Sequence, residues 1–333
     1  MFRTGKRPRP DSSKCRRSAY LECPSPTDLP SWEGDIRPTT KCLPTLTPSW
    51  LCPDNERVFV IQDALALAPS VKRFWVEAPR VARHWRAGQF VIVRVATDGE
   101  RIPLTIVDGN EHTGTICLIV QAVGATTQAI NRLEVGDSLT DVVGPLGTPS
   151  VIDTSGNVVV IGGGVGIAIA YPVARALHQA GCRVRAIVGG RSRQYVILEA
   201  ELSEVCENVY PVTDDGSYGS RGLVTDVLTE HLKRGDPVDH VFAMGPIPMM
   251  RAVAEVTRPA HIKTTASLNP ILIDGTGMCG GCRVLVGGGT KFACVDGPEF
   301  DAHLVDFDIL TSRNRAYQEF ETARSASCGA AQS

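Results

Sequence analysis

The chain divides by the rhythm of its apolar positions. From Arg57 onward, short runs rich in β-branched and aromatic residues, Val58 to Ile61, Val71 to Val76, Phe90 to Val95 and Thr115 to Val120, are separated by Pro, Gly and Asp turns. Runs of that length and composition read as strands, and their close spacing predicts a small antiparallel barrel or sandwich. At Val158 the rhythm changes. An apolar strand runs into a glycine-rich turn and a helical stretch, Tyr171 to Ala180, followed by a strand from Arg183 to Val188, a helix near Leu198 to Glu204 and a strand around Val238 to Met244. Alternating strand and helix predicts a parallel sheet covered on both faces. The end of the chain is loop-rich, with Gly275, Gly277, Gly280, Gly281 and Gly287 to Gly289 crowding three cysteines. The expected divisions are therefore an extension over 1–55, a barrel over 56–150, an α/β domain over 151–255 and a small terminal domain with its tail over 256–333.

Residues 1–55 are rich in Pro, Ser, Thr and Arg and show neither period, which predicts an unpacked or loosely attached extension. Its opening, Met1 to Tyr20, is basic, and a disordered tail or a start placed too far upstream is a simpler reading than an organelle transit segment. Basic and acidic residues nearly balance, at 34 and 36, so no global field draws the chain to nucleic acid or anionic lipid. The richest apolar stretch, Val158 to Ala170, is broken by four glycines and is too short to span a bilayer. A soluble, cytoplasmic protein with no nucleic-acid or membrane partner is expected. Eleven cysteines spread over so long a chain suit a reducing compartment rather than a disulfide scaffold, and Cys15, Cys23, Cys42 and Cys52 of the extension form no CxxC pair.

The strongest chemical signal is Asp274-x4-Cys279-x2-Cys282-x11-Cys294, set in the string Asp-Gly-Thr-Gly-Met-Cys-Gly-Gly-Cys. Thiolates are good donors to iron, and close glycines let the backbone wrap a cluster while N–H groups point at its sulfides. The x4 and x2 spacing is that of plant-type [2Fe-2S] loops, with Asp274 where the first cysteine would stand. Asp274 reads either as an oxygen ligand completing a set of one aspartate and three cysteines or as a turn former before Gly275. A zinc site is the rival reading, with nearby His303 as its fourth ligand, although zinc knuckles seldom carry so much glycine.

Two further segments carry chemistry. Val158 to Ala168 runs from a strand through Gly162, Gly163, Gly164 and Gly166 into a helix, and glycines of this kind admit a pyrophosphate to the backbone at a helix N-terminus. Ile167 stands where a third fingerprint glycine would fall, so a tight packing turn is the alternative. Gly245 and Pro246 end another strand in Met-Gly-Pro-Ile-Pro-Met-Met. In the barrel, Arg101-Ile-Pro-Leu-Thr-Ile and Gln121-Ala-Val-Gly-Ala-Thr-Thr place a cation beside small hydroxyl and glycine positions. Arg101, Gly124, Thr126 and Thr127 suit a flavin phosphate, Leu104 and Thr105 face its ring system, and Pro103 belongs to the same cofactor-binding stretch. Arg191 and Ser192, after the second strand of the α/β pattern, face the choice between NADH and NADPH, and that choice is left open.

Taken together, Arg101-x-Pro-Leu-Thr, the Gly-Gly-Gly-Val-Gly-Ile-Ala turn, Met-Gly-Pro-x-Pro-Met-Met and the terminal cysteine loop resemble the ferredoxin reductase superfamily. More narrowly, residues 56–325 resemble the family of small subunits of NADH-dependent ferredoxin:NADP oxidoreductase, also called sulfide dehydrogenase electron-transfer subunits. The resemblance lies above all in Ser267 to Cys282 and Phe292 to His303. It implies a β-barrel flavin domain, an α/β doubly wound nucleotide-binding domain and a small C-terminal [2Fe-2S] domain. It also implies FAD in the barrel cleft, NAD(H) or NADP(H) on the α/β domain, and a [2Fe-2S] cluster held by Asp274, Cys279, Cys282 and Cys294. The implied partner is a large oxidoreductase subunit carrying flavin and [4Fe-4S] clusters, with ferredoxin reached through the complex. The sister family, the electron-transfer subunits of dihydroorotate dehydrogenase B, usually has cysteine at the position of Asp274, and Ile169 stands where the first family has proline. An electron donor to dihydroorotate dehydrogenase and a zinc-stabilised nucleotide-fold module without redox turnover are the rival functions.

Overall fold

Seven strands build the first half of the described chain: β1 (Phe59–Ala68), β2 (Val71–Glu77), β3 (Phe90–Arg94), β4 (Ile102–Asn110), β5 (Thr115–Gln121), β6 (Ser138–Leu139) and β7 (Asp141–Leu146), with short helices α1 (Pro79–Ala82) and α2 (Ala125–Asn131) between them. The computed structural model describes residues 59–153 and 155–316. The expectations for the extension, its four cysteines included, lie outside the described residues, as does Val58. The strands pair antiparallel in the order β6-β1-β2-β5-β4-β3-β7. Thr140 alone separates β6 from β7, so one segment of chain pairs with β1 at one edge of the sheet and with β3 at the other. That segment closes the sheet into a barrel and leaves it no open edge. Strand alternation then sorts the side chains. Phe74 and Val76 of β2, Val91 and Val93 of β3 and Ile116, Leu118 and Val120 of β5 fill the interior, whereas Val71, Cys117 and Ile119 face outward into a second apolar cluster.

The second half carries strands β8 (Asn157–Gly163), β9 (Arg183–Gly190), β10 (Asn208–Thr213), β11 (Ser220–Arg221), β12 (His240–Met244) and β13 (Lys263–Ser267), connected through α3 (Gly166–Gln179), α4 (Glu199–Val205), α5 (Val224–Lys233) and α6 (Ile247–Thr257). Strand order is β11-β10-β9-β8-β12-β13-β16, parallel up to β13, and β16 (Glu299–Asp301) closes the edge antiparallel. The central strand shows why the run at Val158 is apolar without alternation: Val158 and Val160 enter one buried cluster and Val159 and Ile161 the other, one on each face of the sheet. The outward residues of β5 share the α3 side of the sheet with Ile167, Val173 and Leu177, so barrel and α/β sheet pack through α3. A part-buried ion pair reinforces the seam: Arg175 Nη2 lies 2.7 Å from Asp108 Oδ1, with the guanidinium over the rings of Tyr171 and Trp85.

The strands on either side of the division expected at 255/256, β12 and β13, are adjacent parallel strands of one sheet, paired from His240↔Lys263 to Met244↔Ser267. The segment bearing the cysteines begins after β13. It holds a hairpin of β14 (Arg283–Val286) and β15 (Gly289–Phe292), then β16, then α7 (Phe307–Arg315), whose first turn is capped by Asp306 Oδ1 accepting from Ile309 N at 2.9 Å. Because β16 returns to pair with β13, the terminal segment is stitched into the α/β sheet.

Candidate cofactor cleft and cysteine loop

β8 and β12 are neighbours at the middle of the sheet, and the chain leaves their C-terminal ends toward opposite sides, β8 toward β9 and β12 toward β13. Open α/β sheets bind ligands at such a switch point. The glycines read from the sequence divide here by task. A Cβ on Gly162 would lie 2.7 Å from Ile167 Cα, and one on Gly166 would lie 2.3 Å from Met244 O, so these two let α3 pack against its strand and against the end of β12. Gly163 meets Met249 Sδ at 2.5 Å in the same test. Gly164 differs, for its φ is +57° and a Cβ would have open space around it. It therefore presents backbone without a side chain to the cleft, with its own N–H donated to Gly189 O at 2.8 Å.

The cleft has a volume of about 910 Å³ and joins this sheet edge to the barrel. Gly163, Gly164, Gly166, Gly245 and Pro246 line one side, and Pro103 and Thr105 line the other with Phe90, whose Cα is paired with that of Thr105. Leu104 does not line it. Strand alternation turns its side chain to the opposite face, against the barrel core. Arg101 is exposed just before β4. Gly124, Thr126 and Thr127 start α2, outside the cleft lining: Thr127 Oγ1 accepts the N–H groups of Gly124 at 2.9 Å and Val123 at 3.0 Å, and Thr126 Oγ1 donates to Glu100 Oε2 at 2.6 Å. Arg191 lines the cleft beyond the end of β9, as does Asp214 beyond β10, so a cation and a carboxylate share its rim. Sequence reading missed Phe90, Asn269 and Pro298 as cleft residues, because a lining drawn from three segments leaves no local pattern.

The hairpin explains the x11 interval between Cys282 and Cys294. Arg283 pairs with Phe292, so the two cysteines flank its open end, and Ala293 N donates to Cys282 O at 3.1 Å. Both are buried, with the thiols 3.1 Å apart and unoxidised. Burial first, and the neighbouring Cys282 second, push the Cys294 thiol up to about 12. Cys279 is exposed, and its sulfur accepts from Gly281 N at 3.4 Å. Asp274 bridges the loop, its Oδ1 accepting from Thr276 N at 2.9 Å and its Oδ2 from Cys279 N at 2.8 Å. Those backbone bonds, that from Thr276 foremost, hold its carboxyl below the usual range and keep it an anion. Each oxygen keeps a further lone pair for another partner. Among the described residues no three His, Cys, Asp or Glu side chains converge on one point as for a single metal ion. His303, the candidate fourth zinc ligand, is instead hydrogen-bonded through Nε2 to Thr257 Oγ1 at 2.9 Å. The donor set present is a sulfur pair, a third thiol and an anionic oxygen around positive-φ glycines 275, 277 and 280, a set suited to a cluster spread over several atoms.

Comparison with known proteins fits this arrangement. Residues 59–150 match the oxidoreductase FAD-binding domain, residues 160–255 the oxidoreductase NAD-binding domain, and residues 269–306 the iron-sulfur cluster binding domain of dihydroorotate dehydrogenase B. A dihydroorotate dehydrogenase B (NAD(+)) electron transfer subunit homolog of Thermotoga maritima is 46% identical over 255 residues, 77% of this chain and 90% of that protein. The electron transfer subunit of dihydroorotate dehydrogenase B from Geobacillus thermodenitrificans is 32% identical over 259 residues, 74% of this chain and 97% of the relative. A solved chain of an NADH-dependent reduced ferredoxin-NADP oxidoreductase superposes with a TM-score of 0.76 at 43% identity, covering 80% of this chain and 96% of that one.

Proposed function

The chain belongs to the family of dihydroorotate dehydrogenase B electron-transfer subunits and their homologues, within the ferredoxin reductase superfamily, and on that premise we propose how its residues divide the work of electron transfer. It is an electron-transfer oxidoreductase subunit with FAD-binding, NAD-binding and iron-sulfur domains. The carrying observation is that two glycine-edged strand ends and the β4 wall of the barrel open on one cleft, beside a loop whose cysteines are gathered by a hairpin. Flavin bound there supplies conversion between hydride and single-electron transfer, and a [2Fe-2S] cluster supplies a one-electron relay.

In this reading Gly164 offers bare backbone to the nucleotide pyrophosphate, Gly162 and Gly166 keep α3 close behind it, and Gly245 with Pro246 forms the facing edge. Pro103 and Thr105 present β4 to the flavin ring, and Phe90 supplies an apolar wall from β3. Arg101 and the start of α2 with Gly124, Thr126 and Thr127 lie at the outer end of the barrel, where a flavin phosphate extends. Cys282 and Cys294 supply the buried half of the cluster ligation and Cys279 with Asp274 the exposed half. Asp274 suits the part because it is already ionised and fixes the Cys279 backbone.

The partner is a larger oxidoreductase subunit with its own flavin and [4Fe-4S] clusters, and ferredoxin is reached through that complex. Support comes from the similarity to the ferredoxin-NADP oxidoreductase chain and from aspartate at position 274. Service to a dihydroorotate dehydrogenase is the second reading, favoured by the names of several relatives. No described helix is long and apolar enough to cross a membrane, and the cytoplasm is the compartment that suits these thiols. Substituting Asp274→Cys tests the ligand set. The variant is expected to keep its iron and sulfide while the visible and EPR spectra and the cluster potential shift, because thiolate is a softer, more covalent donor than carboxylate. Unchanged spectra and potential would reduce Asp274 to a turn residue that caps Cys279.

A further inference from the structure

Glu299 opens β16 with its Cα opposite that of Ser267 in β13, and both Ser267 and the preceding Pro298 line the cleft. Its carboxyl turns toward the barrel, where Oε1 accepts the Ser150 hydroxyl at 2.6 Å. A Cβ at Gly88 would lie 2.3 Å from Ser150 Oγ and 3.1 Å from Glu299 Oε1, so glycine at this turn, with φ +84°, leaves the pair its space. Two more hydrogen bonds join the same stretches: Thr148 N donates to Gly297 O at 2.6 Å, and Thr148 Oγ1 donates to Val295 O at 2.9 Å. The segment by which the chain leaves the barrel is thereby laced to the stretch running from Cys294 to β16. Glu299 thus adjoins the wall of the cleft on one side and the cysteine segment on the other.

Among the described residues nothing cationic balances it. On the elements packed around it, Lys263 is paired with Asp153 at the far end of β13, Asp301 accepts from His303 N, and Arg83, His84 and Arg86 are exposed on the turn before Gly88. Burial pushes the Glu299 carboxyl up to about 7, the Ser150 hydrogen bond pulls the other way, and none of those charges bears on it. The residue as a whole is only partly buried. An enclosed carboxylate without a cation gains proton affinity when further negative charge is placed nearby. By reciprocity, its protonation favours the reduced state of whatever carries that charge.

We propose that Glu299 is a proton-holding residue that balances the charge of cluster reduction: its carboxylate binds one proton from water as one electron arrives at the cluster and releases it when the electron leaves. The electron comes from the nicotinamide nucleotide, the proton from solvent, and the net charge of the region is unchanged. This rests on the cluster assignment made under the proposed function. The test is an EPR-monitored redox titration of the cluster in the intact, flavin-loaded protein across a pH series. The reduced form holds the proton more tightly, so raising the pH above about 7 withdraws it and lowers the wild-type potential, while below that the carboxyl is protonated in both states and the potential is level. Glu299→Gln is expected to give a level potential throughout with the cluster signal intact. Ser150→Ala, which removes the bond opposing protonation, is expected to move the falling limb to higher pH. A level wild-type curve, or a slope that survives Glu299→Gln, would overturn the proposal. A wild-type protein without any cluster signal would overturn the cluster assignment, and the proposal with it.

Discussion

Cys282→Ser is expected to strip the protein of its iron, more than about tenfold by content, while FAD remains bound and is still reduced by a nicotinamide nucleotide with a dye as acceptor. Cys282 is 1% exposed at the open end of the β14–β15 hairpin, with its sulfur 3.1 Å from that of Cys294. Serine keeps the volume and the fold of the hairpin but replaces a soft thiolate by a hydroxyl that ionises poorly, so the loss falls on the cluster alone. The flavin side should be spared, because the walls of the cleft come from β3, β4 and the ends of β8 and β12 rather than from the hairpin. Iron and sulfide analysis beside the flavin spectrum separates the two, and full iron content in the variant would contradict the ligand assignment. The same pair explains a dependence on pH. With the Cys294 thiol pushed up to about 12 by burial and by Cys282, that thiol is protonated near neutrality, so its recruitment as a cluster ligand releases a proton.

Gly166→Ala is expected to have the largest effect on nucleotide use. Its Cβ would stand 2.3 Å from Met244 O and 2.7 Å from Gly245 Cα, both backbone atoms at the end of the neighbouring strand. Backbone cannot swing aside as a side chain does, so α3 must back away from β12 and the two edges of the nucleotide cleft separate. A stability loss of about 1–3 kcal/mol is expected from overpacking, with roughly a hundredfold fall in nucleotide-driven flavin reduction from lost alignment. Gly164→Ala is the contrasting control. It meets no atom within contact range but sits at φ +57°, so it should cost only about 1–2 kcal/mol of local strain while placing a methyl group at the cleft. Thermal unfolding and stopped-flow reduction together distinguish the cases. A Gly166→Ala protein as stable and as fast as wild type would show that β8 and β12 do not form the nucleotide edge.

What could be read from the chain follows from where burial is two-sided. β8 is covered on both faces and appears as an unbroken apolar run, and the glycines after it mark its end, so strand, turn and helix were visible together. α3 begins at Gly166, five residues before the Tyr171 start that the pattern predicts, because Ile167, Ala168 and Ala170 are all buried and leave no polar face to show a helical period. β13 was hidden by its composition. Its sequence Lys-Thr-Thr-Ala-Ser looks like a loop, but the buried Thr264 hydroxyl is satisfied by Thr257 Oγ1 and Ile262 O, and that satisfaction lets a polar strand lie inside. Pro211 likewise obscured β10. Local spacing revealed the cysteine set, since a hairpin keeps its ends together. It gave no hint of Glu299, whose partner Ser150 is 149 residues away. Leu104 and Thr105 are adjacent in sequence and opposite in space, which only the pairing of β3 with β4 decides.

Iron, acid-labile sulfide and flavin per chain, measured on anaerobically purified protein alongside its visible spectrum, test the electron-transfer reading most directly. About two irons, two sulfides and one FAD are expected, with nicotinamide nucleotide bleaching both chromophores. Zinc in place of iron, without sulfide or flavin, would contradict it and leave a nucleotide fold whose cysteines serve structure alone.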